Sequence, residues 1–337
     1  MTSPSFSRRG DISSFLAMDV MREANMLQQS GQDICHLEVG QPSTKAPQVV
    51  LDAARHALDH ELIGYTDALG LDALRQALSA YYQTTYKVDI APERFVITTG
   101  SSSGFIIAFL ACLDAGQKVA VTTPGYPAYT NIIQSLDLTP VTIPLSHENN
   151  WTLTVDDVQA AEKAYGPIDA LLLASPANPT GTMLGKQALT DLSHDCHRAG
   201  RWFFSDEIYH GLTYAHDATS ALQVGDHDGL IVMNSFSKYF SMTGWRIGWM
   251  IVPPKMVRAV ERLQQNLFIS APTLSQYAAC AALSPAAGTE LQKHVQLYHH
   301  NRDKLLACLR DNGIDNIAPA DGAFYLYADL RSLSPTP

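Results

Sequence analysis

The chain has 337 residues, 46% of them hydrophobic and 17% charged, with 23 Lys and Arg against 33 Asp and Glu for a formal charge of −10. At about 150 residues per domain this length predicts two domains or one large α/β unit, and the apolar share excludes a disordered chain. The negative balance argues against a nucleic-acid or anionic-membrane surface as the main partner, and the longest apolar run, 105–113, is well short of the roughly 20 residues that span a bilayer.

In chain order, the first residues carry no apolar leader and 12–29 has helical apolar spacing. From Glu93 onward, short β-rich runs alternate with helical patterns, as in a mainly parallel α/β sheet. Strands are expected over 95–99, 119–122, 141–143, 170–174, 202–205, 231–234 and 247–252, and helices over 102–113, 155–165 and 186–199. Several of the strands are apolar without alternation, as in a sheet covered on both faces. Residues 287–312 read as a long helix, followed by a strand-like 323–328. The five cysteines, Cys35, Cys112, Cys196, Cys280 and Cys308, are widely spaced with no CxxC pair. Reduced thiols in a cytoplasmic protein are the expectation.

Ligands of open parallel sheets bind beyond the carboxyl ends of the strands, so the residues after each strand are where chemistry is sought. Gly100-Ser101-Ser102-Ser103-Gly104 leads into a helix whose N-terminus offers N–H groups and hydroxyls to a phosphate; a Ser N-cap gives the same composition. No Gly-Lys-Ser/Thr follows, so it is not a P-loop. Tyr126, in Pro124-Gly125-Tyr126-Pro127, either stacks on a planar ligand or caps the core. Asn178 stands in the proline-framed loop 175–181. Asp206, closing an apolar strand, needs a partner to stay charged: a salt bridge, a helix N-cap or a cationic ring nitrogen. Lys238 follows a buried-looking strand in Asn234-Ser235-Phe236-Ser237-Lys238, the setting of a lysine with a lowered pKa and Schiff-base reactivity. Arg246 follows in Thr243-Gly244-Trp245-Arg246-Ile247-Gly248. His194-Asp195-Cys196-His197 lacks a distant third ligand set and reads as a solvated helix end, so no metal is expected.

An aldehyde for Lys238, a phosphate for Gly100, Ser101, Ser102, Ser235 and Arg246, a flat ring for Tyr126 and a pyridinium nitrogen for Asp206 together specify pyridoxal 5′-phosphate. The order and spacing of these motifs, with Glu38-Val39-Gly40-Gln41-Pro42, Tyr65-Thr66-Asp67-Ala68-Leu69-Gly70 and the run from Gly322 to Asp329, resemble the class I/II aminotransferases of pyridoxal-phosphate fold type I, near the bacterial aspartate aminotransferases. The resemblance implies a large domain with a mainly parallel seven-stranded sheet over 46–275. It also implies a small α+β domain made of 1–45 and 276–337.

By that resemblance, Lys238 forms the internal aldimine and shuttles the proton, and Asp206 holds the pyridine nitrogen. Tyr209 and Asn178 bond the phenolic oxygen, while Tyr126 stacks on the ring. Gly40 lies over the substrate, which Asn178 also contacts, and Tyr65 reaches the phosphate of a neighbouring subunit in a homodimer. An amino group then passes from an L-amino acid to a 2-oxo acid through pyridoxamine phosphate. Elimination at Cβ, as in C–S lyases of the same fold, uses the same residues. A regulator of this fold carries a DNA-binding domain ahead of the small-domain segment, and the net charge of −10 disfavours one here. The family continues for several dozen residues beyond the Gly322–Asp329 motif and supplies there an arginine for the substrate carboxylate. Arg331 is outside that motif. A truncated chain that keeps its cofactor with little activity is therefore also an expectation.

Overall fold

The computed structural model describes residues 4–331 and 333. Three helices come first, α1 (Leu16–Gln29), α2 (Gln48–His60) and α3 (Asp72–Tyr86). Strands and helices then alternate through β1 (Phe95–Thr98), α4 (Gly100–Cys112), β2 (Lys118–Thr123), α5 (Pro127–Ser135), β3 (Thr139–Pro144), α6 (Val155–Tyr165), β4 (Ala170–Ala174), α7 (Lys186–Arg198) and β5 (Trp202–Asp206). The last strands are β6 (Leu230–Ser235) and β7 (Gly248–Ile251), followed by α8 (Val257–Leu267), α9 (Thr273–Ala282) and α10 (Pro285–Asp311).

The strands form one seven-stranded α/β sheet in the order β1-β7-β6-β5-β4-β2-β3. Only β7 runs antiparallel to its neighbours, pairing Phe95 with Ile251 on one side and Ser235 with Gly248 on the other. Side chains alternate between two apolar layers, as the strand period of two requires. Ile97, Leu171, Phe203, Val232 and Trp249 face one layer. Val96, Leu172, Phe204, Met233 and Met250 face the other. Central strands are therefore buried on both sides, whereas edge strand β3 buries only Val141 and Ile143 and leaves Thr139 and Thr142 outside.

The ends of the chain meet beside this sheet. Thr44 Oγ1 is 2.6 Å from Tyr298 Oη on α10, and Glu290 of the same helix accepts from Gln48 N at 2.9 Å. Helix α10 starts at Ser284, whose hydroxyl accepts from Ala287 N, with Pro285 at the first helical position.

Three sequence expectations are corrected. The N-terminal helix begins at Leu16, because Phe15 is extended and sets its ring edge-on to Tyr126 at 5.5 Å between centroids. Helix α4 begins at Gly100, which brings Ser101 and Ser102 into its first turn. Residues 323–328 form no strand. Ala320 and Ala323 have positive φ, and the backbone there bonds to loops, with Ala323 N donating to Leu212 O and Ala318 N to Tyr327 O, each at 2.8 Å. Among the described residues, strand-like pairing in this region is limited to two isolated bridges, Thr213 with Gly322 and Ile317 with Ala328.

Leu78 of α3 is fully buried in the larger apolar layer. Leu78→Ala is expected to lower the unfolding free energy by about 2–5 kcal/mol, read as a lower urea midpoint at unchanged slope.

Candidate active site

The carboxyl ends of β1, β2, β4, β5 and β6 open onto a cleft of about 450 Å3. It is lined by Ser101, Ser102, Tyr126, Asn178, Asp206, Tyr209 and Lys238 from this edge, and by Gly40 and Tyr325 from outside it.

One end of the cleft is built to receive an anion. The first N–H groups of an α-helix have no intrahelical carbonyl, and in α4 no side chain of the cap residue Thr99 takes their place. Glycines let this helix end sit so close to the sheet. A Cβ at Gly248 would lie 2.9 Å from Asn234 O and 3.1 Å from both Gly100 C and Ser101 N. A Cβ at Gly100, where φ is +72°, would overlap the Arg246 guanidinium. Arg246 is exposed and donates to Thr243 O at 3.1 Å, and it makes no salt bridge among the described residues. A cation without a carboxylate beside a free helix N-terminus fits a phosphate. Ser235 stands behind this cradle, its Oγ 2.9 Å from both Ile247 O and Ser237 Oγ. Its hydroxyl is engaged there, so the hydroxyls open to an anion are those of Ser101 and Ser102.

At the floor, Asp206 is buried and has no cation within salt-bridge distance. Tyr129 donates its hydroxyl to Asp206 Oδ2, and Ile208 N donates to Oδ1 at 3.1 Å. Burial raises its pKa to about 6 against the opposing pull of these donors and of Lys238. A ring N–H⁺ is the kind of partner this carboxylate lacks.

Across from it, Lys238 Nζ donates to Gly40 O at 2.5 Å and lies 5.7 and 5.6 Å from the ring centroids of Tyr209 and Phe324. Burial lowers its pKa to about 8, partly offset by Asp206 and reinforced by Arg246. About a tenth is therefore a neutral amine at pH 7, far more than for an ordinary lysine, and able to attack a carbonyl carbon. Above it, Tyr209 Oη is 2.6 Å from Tyr325 Oη, and Asn178 Nδ2 donates to both hydroxyls at 3.3 Å. A Cβ at Gly40 would overlap the Tyr325 hydroxyl, which is the physical reason for a glycine there.

Of the residues singled out in sequence, the structure gathers Gly40, Ser101, Ser102, Tyr126, Asn178, Asp206, Tyr209 and Lys238 around one cleft, with Gly100, Ser235 and Arg246 at its anionic end. Tyr65 is 84% exposed and does not line the cleft of its own chain. Sequence reasoning passed over Tyr129 and Tyr325. Tyr129 lies three residues after Tyr126 at the start of α5, so both rings face the same side; that spacing was the available signal. Tyr325 lay in the Gly322–Asp329 motif, without a role assigned to it. The apolar wall of Phe15, Leu16 and Val20 was not seen either.

Fold and cleft together define an enzyme whose cleft sets a lysine amine, a buried carboxylate and an open helix N-terminus around one space. The model of the aminotransferase class I and II family matches residues 32–335. The chain is 42% identical to the valine–pyruvate aminotransferase of Mycobacterium tuberculosis over 97% of its own length and 83% of that protein's. It is 31% identical to the aspartate aminotransferase of Thermotoga maritima over 93% and 82%. Among solved structures, an aminotransferase from Mycobacterium tuberculosis superposes with a TM-score of 0.94 at 41% identity, covering 98% of this chain and 85% of that one. The aspartate aminotransferase of Thermus thermophilus with maleate also gives 0.94, at 28% identity, covering 99% and 87%. The chain belongs to the class I and II aminotransferases and has their fold type I architecture. Among the described residues, no helix is long and apolar enough to cross a membrane.

Behind Asp206 lies a second buried carboxyl. Glu207 Oε1 accepts from Ala221 N at 2.8 Å and from the Ser220 hydroxyl at 2.9 Å, while Oε2 accepts no hydrogen bond and lies 3.5 Å from His210 Nδ1. Burial raises Glu207 to about 8 and lowers His210 to about 4. From its ordinary 4.5 up to about 8, the unfolded chain has lost a proton that folded Glu207 keeps, so stability falls as pH rises. His210 acts oppositely, but only between about 4 and 6.5. Between pH 6.5 and 8 the cofactor-free protein is therefore expected to lose up to about 1.4 kcal/mol per pH unit through Glu207. Thermal midpoints across this window should fall for the unsubstituted chain and stay flatter for Glu207→Gln.

Proposed function

We propose that this chain transfers the amino group of an L-amino acid to a 2-oxo acid with pyridoxal 5′-phosphate in the cleft, as a homodimer in which Tyr65 serves the partner's site. The observation that carries the reading is the pairing, in one cleft, of a part-buried lysine whose amine donates to Gly40 O with a buried carboxylate that has no cation within salt-bridge distance. When bound, the cofactor supplies an aldehyde carbon for amines and a ring that accepts the electron pair left at the substrate Cα.

The chain's own residues do the rest. Ser101, Ser102, the first N–H groups of α4 and Arg246 hold the phosphate. Tyr126 would cover one face of the ring, and Asp206, aligned by Tyr129, would keep the ring nitrogen protonated. Tyr209 and Asn178 would bond the ring's phenolic oxygen and so set its charge. Lys238 would hold the aldehyde carbon; once displaced by substrate, its neutral amine would take the α-proton and deliver it to that same cofactor carbon, and would carry a proton the opposite way in the second half-reaction. Gly40 and Tyr325 close the site from the other side of the cleft.

Lys238→Ala is expected to cut kcat by roughly a hundred- to ten-thousand-fold and to abolish the near-visible absorption of the lysine-bound cofactor. Full turnover with an unchanged band would refute the role of Lys238. Pyruvate and ammonia released from cystathionine, with no amino group passed to 2-oxoglutarate, would replace the proposal with C–S lyase chemistry. Gly248→Ala is expected to weaken cofactor binding at least tenfold, because its Cβ displaces the first turn of α4; equilibrium titration with pyridoxal phosphate measures this.

The relatives named for valine–pyruvate and for aspartate transfer represent two side-chain classes, apolar and acidic, between which a cleft must discriminate.

A further inference from the structure

We infer that the side-chain end of the cleft takes an apolar amino-acid side chain, and that Phe15 with the first turns of helix α1 forms the wall that selects it. This rests on the aminotransferase reading of the same site and adds the substrate class to it.

Phe15, Leu16, Ala17 and Val20 line the cleft together with Ile132 of α5. Positions 16, 17 and 20 share one helix face, since residues three and four apart are neighbours on a helix surface. That face is not consumed by the core. Ala24 is the one buried residue of α1, whereas Leu16 is 69% and Val20 42% exposed. Apolar side chains left open on the wall of a cleft gain burial when an apolar ligand fills it. The edge-on contact of Phe15 with Tyr126 ties this wall to the residue that covers the cofactor ring.

Electrostatics points the same way. Glu38 is on the cleft wall, and the hydrogen bond from His36 Nδ1 at 2.8 Å holds its carboxyl below the usual range, so it is ionised. The cations that the described residues of this chain bring to the cleft, Lys238 and Arg246, are the ones the chemistry itself employs, at the aldehyde carbon and at the phosphate. A side-chain carboxylate entering here would lose water, meet Glu38 and find no partner cation on the apolar wall. A branched or straight aliphatic chain meets no such cost.

The test uses the holoenzyme without 2-oxo acid and follows the loss of the lysine-bound cofactor band with L-valine, L-leucine, L-alanine, L-aspartate and L-glutamate in turn. Valine and leucine should exceed alanine about tenfold or more in kcat/KM, the discrimination that added methylenes give in an apolar pocket. They should exceed aspartate and glutamate by about a hundredfold or more, since a site without a partner for a charged group rejects it more strongly than a missing methylene. Val20→Lys and Leu16→Lys place a cation on the partly exposed wall, and each should shift the valine-to-aspartate ratio toward aspartate by about tenfold or more, with the cofactor spectrum unchanged. Aspartate or glutamate reacting as fast as valine, or both lysine variants leaving the ratio unmoved, overturns the inference and leaves amino-group transfer standing. Conversion by none of the five amino acids overturns the aminotransferase reading itself.

Discussion

Asp206 is a carboxylate at the carboxyl end of a central strand, closed off from water and without a cation beside it. Such a group is costly to keep charged, and Tyr129 and Ile208 N compensate only in part, which is why its pKa rises to about 6. The surrounding architecture serves this one residue. Parallel strands β4, β5 and β6 bring it to the same edge as Asn178 and Lys238, and α5 brings the tyrosine that orients it. The same burial lowers Lys238, so one physical cause prepares both an acceptor for a ring cation and a neutral amine. The site is left electrostatically incomplete in a way that the protonated ring of the proposed cofactor would complete.

The anionic end depends on what is missing from the chain. Gly100 and Gly248 carry no Cβ, and the helix N-terminus can therefore abut β6 and β7 with the Arg246 guanidinium across it. A side chain at Gly248 would push the helix end away from the sheet, and one at Gly100 would displace the Arg246 guanidinium. At the other side Gly40 plays a comparable part, because only a residue without a side chain lets Tyr325 approach Tyr209 and Asn178. Close approach of backbone elements, more than any single strong bond, shapes the cleft.

Much of this was legible along the chain. The apolar strands announced themselves by composition, and the rule that ligands gather at strand ends then picked out Tyr126, Asn178, Asp206, Lys238 and Arg246. The run 323–328 misled because Phe324, Tyr325 and Leu326 have the apolar and aromatic content of a strand. Their backbone instead turns through a positive φ at Ala323 and bonds to loops, so their aromatic rings go to the site and its surroundings rather than to a ladder. Tyr129 escaped because its significance is a hydrogen bond to a residue 77 positions away.

The sequence by itself determined the family and which polar residue follows each strand, because a strand's end is a local property. Tertiary structure decided what surrounds that chemistry. The meeting of α1 with Tyr126, of Tyr325 with Gly40 and of Gly248 with the start of α4 joins segments far apart in the chain. Such contacts leave no periodicity or spacing to read, since they arise only when separate elements pack against a common sheet edge.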